Sequence, residues 1–187
     1  MPAALLPKEE VLERLTSEFR RWGYDGATLS KLSAATGLVK ASLYHYFPKG
    51  KPDMARAVLE DLGGRFDEMI MKPLQAEGAP RARLAETAKG LIAFYQEGRV
   101  ACALEVFSLG TARQLFGEQI KARFISLRDT LARLLAETGL DLGTAVRRAE
   151  LGIAMIQGGL VTSRGMDDPE VFRNAVKALP AFLFKEA

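Results

Sequence analysis

The sequence predicts an all-α chain of about nine helices. Strand signals are poor, with no sustained period-two alternation anywhere in the 187 residues. Apolar residues instead recur at helical spacing, punctuated by Gly and Pro. Residues 28–47 read Thr-Leu-Ser-Lys-Leu-Ser-Ala-Ala-Thr-Gly-Leu-Val-Lys-Ala-Ser-Leu-Tyr-His-Tyr-Phe, two short helical patterns separated by a glycine.

The elements follow in order. Val11, Leu12, Leu15, Phe19 and Trp22 lie on one stripe and predict a helix over 8–22. Gly23-Tyr24-Asp25-Gly26 ends it. Thr28 suits the cap of a second helix, because its hydroxyl accepts from a free backbone N–H. Leu29 and Leu32 share one face of that helix. Ser33 is small enough to let a third helix approach, and Gly37 tolerates the left-handed conformation of a tight turn. Leu38, Leu43 and Phe47 would plug the angle, with the third helix near Lys40 to Tyr46. The first three helices make the smallest all-helical arrangement that buries a shared core. Further helices are expected near 52–74, 80–98, 100–110, 113–138, 143–164 and 168–185. Gly98, Gly110, Gly139 and Gly165 sit near their ends. Asp168-Pro169 opens the last one, and Pro180 should kink it or end its regular bonding.

Composition narrows the function classes. Hydrophobic residues make up 48% of the chain, enough for a packed core. No apolar run is long enough to span a membrane. The N-terminus lacks the apolar core of a signal peptide, so a cytoplasmic protein is expected. Cys102 is the one cysteine, which excludes an intramolecular disulfide and a cysteine-based zinc site. No phosphate loop or dinucleotide fingerprint is present. No catalytic residue, metal or cofactor is assigned, and an enzyme is not expected.

Charge is unevenly distributed. Residues 1–51 hold 8 Lys/Arg against 5 Asp/Glu, and residues 52–187 hold 18 of each. The whole excess of +3 therefore lies at the N-terminal end, as a phosphate-facing module requires. The outward positions of the third helix are Lys40, Ala41, Ser42, Tyr44 and His45, donors and small groups suited to phosphates and base edges. Taken alone, the same pattern also describes a plain helical hairpin with a polar outer face.

Phe19, Gly23-Tyr24, Thr28, Leu32, Gly37-Leu38, Lys40 and Leu43-Tyr44-His45-Tyr46-Phe47 resemble the N-terminal domain of the TetR family of repressors, over about residues 8–60. There are two departures. Val39 stands where the family usually has Ser or Thr as cap of the recognition helix, a loss of about 1 kcal/mol. Phe47-Pro48-Lys49-Gly50-Lys51-Pro52 carries one residue more than the usual Phe-x-Ser-Lys. Of Lys49 and Lys51, the second is favoured as the phosphate contact, since Pro52 suits a first helical position. The resemblance implies a helix-turn-helix domain over 1–51 and an effector-binding and dimerisation domain over 52–187. It implies double-stranded operator DNA, a small-molecule effector and a second copy of the chain as partners. Thr28, Tyr44 and Lys51 would hold phosphates, with Lys40, Ser42 and His45 nearest to base edges.

Residues 151–162 are apolar nearly all round, which demands burial on more than one side. The resemblance implies that the last two helices pair with their copies. Ile153, Ile156, Gly159 and Leu160 are the expected interface on one helix, and Phe172, Val176, Leu179 and Phe182 on the other. Burial within one subunit is the alternative. A second apolar grouping runs over Leu91, Phe94, Tyr95, Cys102, Phe107, Phe116 and Phe124, joined by Met155 and Gln157. It reads either as ordinary core or as an apolar effector pocket with sparse polar contacts. The expected function is a homodimeric repressor released from a palindromic operator by an apolar effector. The alternative is a helical protein-interaction module without DNA binding.

Overall fold

The computed structural model of the chain describes residues 6–184. Those residues are helical, with α1 (Lys8–Gly26), α2 (Leu29–Thr36), α3 (Lys40–Tyr46) and α4 (Lys51–Phe66) first. α4 continues through a π-helical turn (Asp67–Met71) into α5 (Lys72–Gln75), since Phe66, Met71 and Lys72 all keep right-handed helical angles. Then come α6 (Pro80–Phe94), a 3-10 turn (Gln96–Gly98), α7 (Ala103–Val106), α8 (Gly110–Ala136), α9 (Leu142–Gly165) and α10 (Pro169–Leu183). With α4 and α5 counted as one rod, nine helices lie among the described residues.

Two compact units share these elements. The first takes Met1–Gly63 and Ala103–Ile120, and the second takes Gly64–Cys102 and Lys121–Ala187. These units do not follow a cut at 51/52, and the reason is aromatic. Phe107 lies 5.5 Å from Phe19, and Phe116 lies 6.1 Å from Tyr24 and 5.9 Å from Phe107, centroid to centroid. This cluster draws residues 103–120 onto α1. Such pairs contribute about 0.5–1.5 kcal/mol each beyond their buried area.

α1 runs further than residue 22 but bends at Gly23, whose φ of 66° and ψ of 176° leave the helical region. The bend turns Tyr24 inward. Trp22, expected in the core, is instead 43% exposed. The Lys31 ammonium sits 3.6 Å from its ring centroid and donates to the Gly26 carbonyl, so a cation covers the indole face.

Asp25 reaches 86 residues along the chain to accept from the Thr111 backbone N–H at 3.0 Å, which satisfies a free donor in the first turn of α8. Gly110 is required there. Its φ is +54°, and a Cβ would stand 2.3 Å from Asp25 Oδ2. The Thr111 side chain and then its backbone N–H hold the Asp25 carboxyl below the usual carboxylate range, with Lys51 adding to them.

In the second unit α9 and α10 pack on each other along their length. A Cβ on Gly152 would meet Leu183 at 3.0 Å, and one on Gly159 would meet Ala175 at 3.0 Å, so these glycines set the close approach. Pro180 does not end α10. The helix carries on to Leu183, because Leu179 and Leu183 are buried and hold the last turn in place. α6 stops at Phe94, four residues short of the expected end. Gln96, Glu97 and Gly98 all have positive φ, through which a right-handed α-helix cannot continue. The next expected helix, 100–110, shrinks to α7. Arg123 is paired with Asp67 at 2.6 Å, and Arg83 makes a two-pronged contact with Glu137 at 2.8 and 2.9 Å.

Two outcomes follow from this packing. Asp25 has a depressed folded pKa, so its stabilising effect is present above the unfolded value of about 3.9 and is lost as pH falls through the folded value. Wild type therefore loses more thermal stability than Asp25→Asn on acidification, and the two melting curves converge at the acid end. Parallel curves would contradict the pairing. A Cβ at Gly90 would stand 2.0 Å from the Met69 carbonyl oxygen in the π-helical turn, whereas one at Gly64 meets nothing within 4 Å. Gly90→Ala is expected to cost about 3 kcal/mol in denaturant unfolding, and Gly64→Ala to be neutral or stabilising by up to about 1 kcal/mol.

Candidate nucleic-acid interface

α2 and α3 meet at a turn built by local chemistry. Thr28 accepts from the Lys31 backbone N–H at 3.3 Å, as a capping residue should. Gly37 takes φ 70° and ψ 5°, the left-handed conformation that ends α2. Ser33 does more than make room, since its hydroxyl donates across the turn to the Leu38 carbonyl at 2.5 Å. Thr36 Oγ1 donates to the Leu32 carbonyl at 2.8 Å, and Arg14 donates to the Thr36 carbonyl at 3.1 Å. Leu32, Leu38, Leu43 and Phe47 are buried and close the angle, as their spacing predicts.

That packing decides which side of α3 faces solvent. Lys40, Ala41, Tyr44 and His45 are exposed, and Ser42 is half-buried. Gly50 makes the turn after α3 at φ +70°, and the Tyr44 ring lies against it: a Cβ there would come within 3.1 Å of the ring. Tyr46 faces the other way and donates to the Leu6 carbonyl at 2.8 Å, which fixes the entrance to α1.

The two lysines after α3 separate. Lys51 was the favoured phosphate contact, but its ammonium donates to the Tyr24 carbonyl at 2.9 Å and lies 4.4 Å from the Tyr24 ring centroid. It is engaged within the unit, because the bend at Gly23 leaves a carbonyl and a ring face beside it. Lys49 is exposed in the turn ahead of α4. Of the two, Lys49 is the more exposed, as are Thr28, Lys40, Ala41, Tyr44 and His45.

The expected effector residues divide. Phe107 and Phe116 belong to the aromatic cluster of the first unit. Leu91, Phe94, Tyr95 and Cys102 are buried in the second, where the Tyr95 hydroxyl donates to Cys102 Sγ at 3.5 Å. Tyr95 also packs on Phe94 at 5.0 Å and on Phe172 at 5.8 Å. Phe124, Met155 and Gln157 are half-buried, and Gln157 Oε1 is buried without a hydrogen-bond partner. A groove of about 600 Å³ along α5 and α6 is lined by Glu68, Lys72, Arg83 and Glu86, and includes none of the expected effector residues.

The expected dimer residues are largely used inside the chain. Ile156, Gly159, Leu160, Phe172, Val176 and Leu179 are buried where α9 meets α10, and Ile153 and Phe182 are half-buried. The free face of α9 is a different stripe. Leu151 is 57% and Val161 50% exposed, with Ala154, Gly158 and Gly165 exposed between and beyond them.

Residues 11–58 match the model of the bacterial regulatory proteins, tetR family. Over 183 residues the chain is 23% identical to the uncharacterized HTH-type transcriptional regulator YxaF of Bacillus subtilis (strain 168), covering 96% of both. It is 25% identical over 167 residues to the HTH-type transcriptional regulator LmrA of the same organism, covering 83% of this chain and 85% of LmrA. A TetR transcriptional regulator from Legionella pneumophila has the same fold, with a TM-score of 0.78 at 18% identity over 96% of this chain and 98% of that one. So does the TetR family regulator CifR, solved as a cysteine mutant with a 26-base-pair operator duplex, with a TM-score of 0.76 at 20% identity over 97% of this chain and 98% of CifR. Residues 11–58 thus match the tetR family of bacterial regulatory proteins, and over 96% of its length the chain shares the fold of a solved TetR transcriptional regulator.

Proposed function

We propose that the chain is a homodimeric repressor that lays α3 in the DNA major groove and is released by a small apolar effector. One observation carries the reading: α3 buries Leu43 and turns Lys40, Ala41, Tyr44 and His45 outward together. The solved relative CifR is held on operator DNA, which supports the same use here. Lys49, Thr28 and Tyr44 hold phosphates. Lys40, Ser42 and His45 face base edges.

A second copy supplies the second α3, at about one DNA turn, 34–36 Å, from the first. The outer stripe of α9 suits that role. A glycine inside a helix costs about 1 kcal/mol against alanine, and Gly158 has nothing within 4 Å of its Cβ position to justify it within the chain. Close approach by another helix supplies the reason. The effector enters among Leu91, Phe94, Tyr95 and Cys102, which must part to admit it. Gln157 Oε1 then offers an acceptor to a donor on an otherwise apolar molecule. To move the DNA-competent fraction from 99:1 to 1:99, the effector must prefer the other state by about 10⁴-fold. The helical rod over 51–75 transmits that preference.

The reading is tested on duplexes selected from a random-sequence pool. With about four phosphate contacts per subunit, log K against log[salt] falls with a slope near −7 for the dimer. Lys49→Ala weakens binding evenly across the selected duplexes and flattens the slope. Lys51→Ala instead lowers the melting temperature, because it strips the Tyr24 carbonyl of its partner. A flat salt response, or unchanged affinity in Lys49→Ala, contradicts the phosphate face. In sedimentation equilibrium the wild type is a dimer and Gly158→Leu a folded monomer. A Gly158→Leu dimer of wild-type affinity rules out the α9 stripe as the interface.

A further inference from the structure

We propose that Val39 reads the methyl group of a thymine in each operator half-site. The inference rests on the reading of α3 as the DNA-facing helix. Val39 lies in the turn between α2 and α3, beside Lys40, and is 67% exposed. Its neighbour Leu38 points inward and is buried, so the turn sends one aliphatic side chain into the core and presents the next to solvent.

Single exposed apolar residues are common and by themselves mean nothing. Val39 differs in what it displaces. Its backbone, at φ −66° and ψ 154°, has the extended geometry of a capping residue, yet its side chain makes no capping hydrogen bond. A Ser or Thr would make that bond without altering the backbone. The position therefore forgoes stability that a near-isosteric residue would supply, and gains an exposed aliphatic group next to the exposed Lys40 and Ala41.

Major-groove chemistry leaves that group one partner. Base edges there present nitrogen and oxygen acceptors, amino donors and the C5-methyl of thymine, and of these only the methyl is apolar. A branched aliphatic chain can neither donate nor accept a hydrogen bond. It discriminates by burying its methyls against that of thymine, and it leaves donors and acceptors unpaired when placed against any other base edge.

The test uses duplexes selected by the wild-type protein from a random-sequence pool, with each thymine then replaced singly by deoxyuridine. This removes the methyl and leaves base pairing and backbone intact. One position per half-site is expected to lose about fourfold in affinity, the worth of one buried methyl. In Val39→Ala and Val39→Ser the same replacement has no effect. Val39→Ser should also melt higher than wild type, because it restores the cap, so stability rises while thymine discrimination disappears. A purely structural role would not separate the two. The proposal is overturned if no thymine is sensitive, if the half-site contains none, or if Val39→Ala keeps the same sensitivity; in each case the selected duplexes still bind and the DNA-binding reading stands. Failure to select any duplex overturns both.

Discussion

A seven-residue helix does not hold itself in water. α3 exists because Leu43, with Leu38 before it and Phe47 after it, is buried where α3 meets α2 and the rest of the unit. Everything proposed for the N-terminal unit depends on that burial. It fixes the rotation of α3, and the rotation determines that Lys40, Ala41, Tyr44 and His45 are the side chains presented. The hydrogen bonds at the turn serve the same end. Arg14 pairs the Thr36 carbonyl, which the end of a short helix would otherwise leave open, and Ser33 pairs the Leu38 carbonyl in the turn. The left-handed Gly37 lets the chain reverse within three residues.

The aromatic cluster extends this scaffold. Phe19 and Phe107 are fully buried, and Tyr24 and Phe116 nearly so. Asp25 adds a polar tie to Thr111 at the edge of the cluster. The first unit is therefore assembled from two stretches of chain. The second relies on close approach between α9 and α10, which Gly152 and Gly159 permit.

What could be read from the sequence was local. Thr28, Gly37, Leu32, Leu43 and Phe47 declare their roles through neighbours three or four residues away, and the structure places each as their spacing implies. Partners distant along the chain left no such trace. The acceptor of the Lys51 ammonium, the Tyr24 carbonyl, lies 27 residues earlier and no local spacing announces it. Phe107 and Phe116 resembled Phe94 and Tyr95 in type, and spacing alone cannot say which of two cores an aromatic residue joins. The stretch 151–162 is apolar on all sides. Only the packing of α10 shows that Ile156, Gly159 and Leu160 are the inner side and Leu151, Gly158 and Val161 the outer. Trp22 fits the apolar stripe of α1, yet the bend at Gly23 and a lysine on α2 make it a cation's platform.

The central claim is that the outer side of α3 and the turn after it press against duplex DNA. Lysine acetylation with and without a selected duplex tests it most directly, since reactivity is read residue by residue. Lys40 and Lys49 should lose reactivity on binding, while Lys72 and Lys89, paired with Glu68 and Glu86 on the second unit, should keep theirs. A complex in which Lys40 and Lys49 remain as reactive as in the free protein would contradict the account.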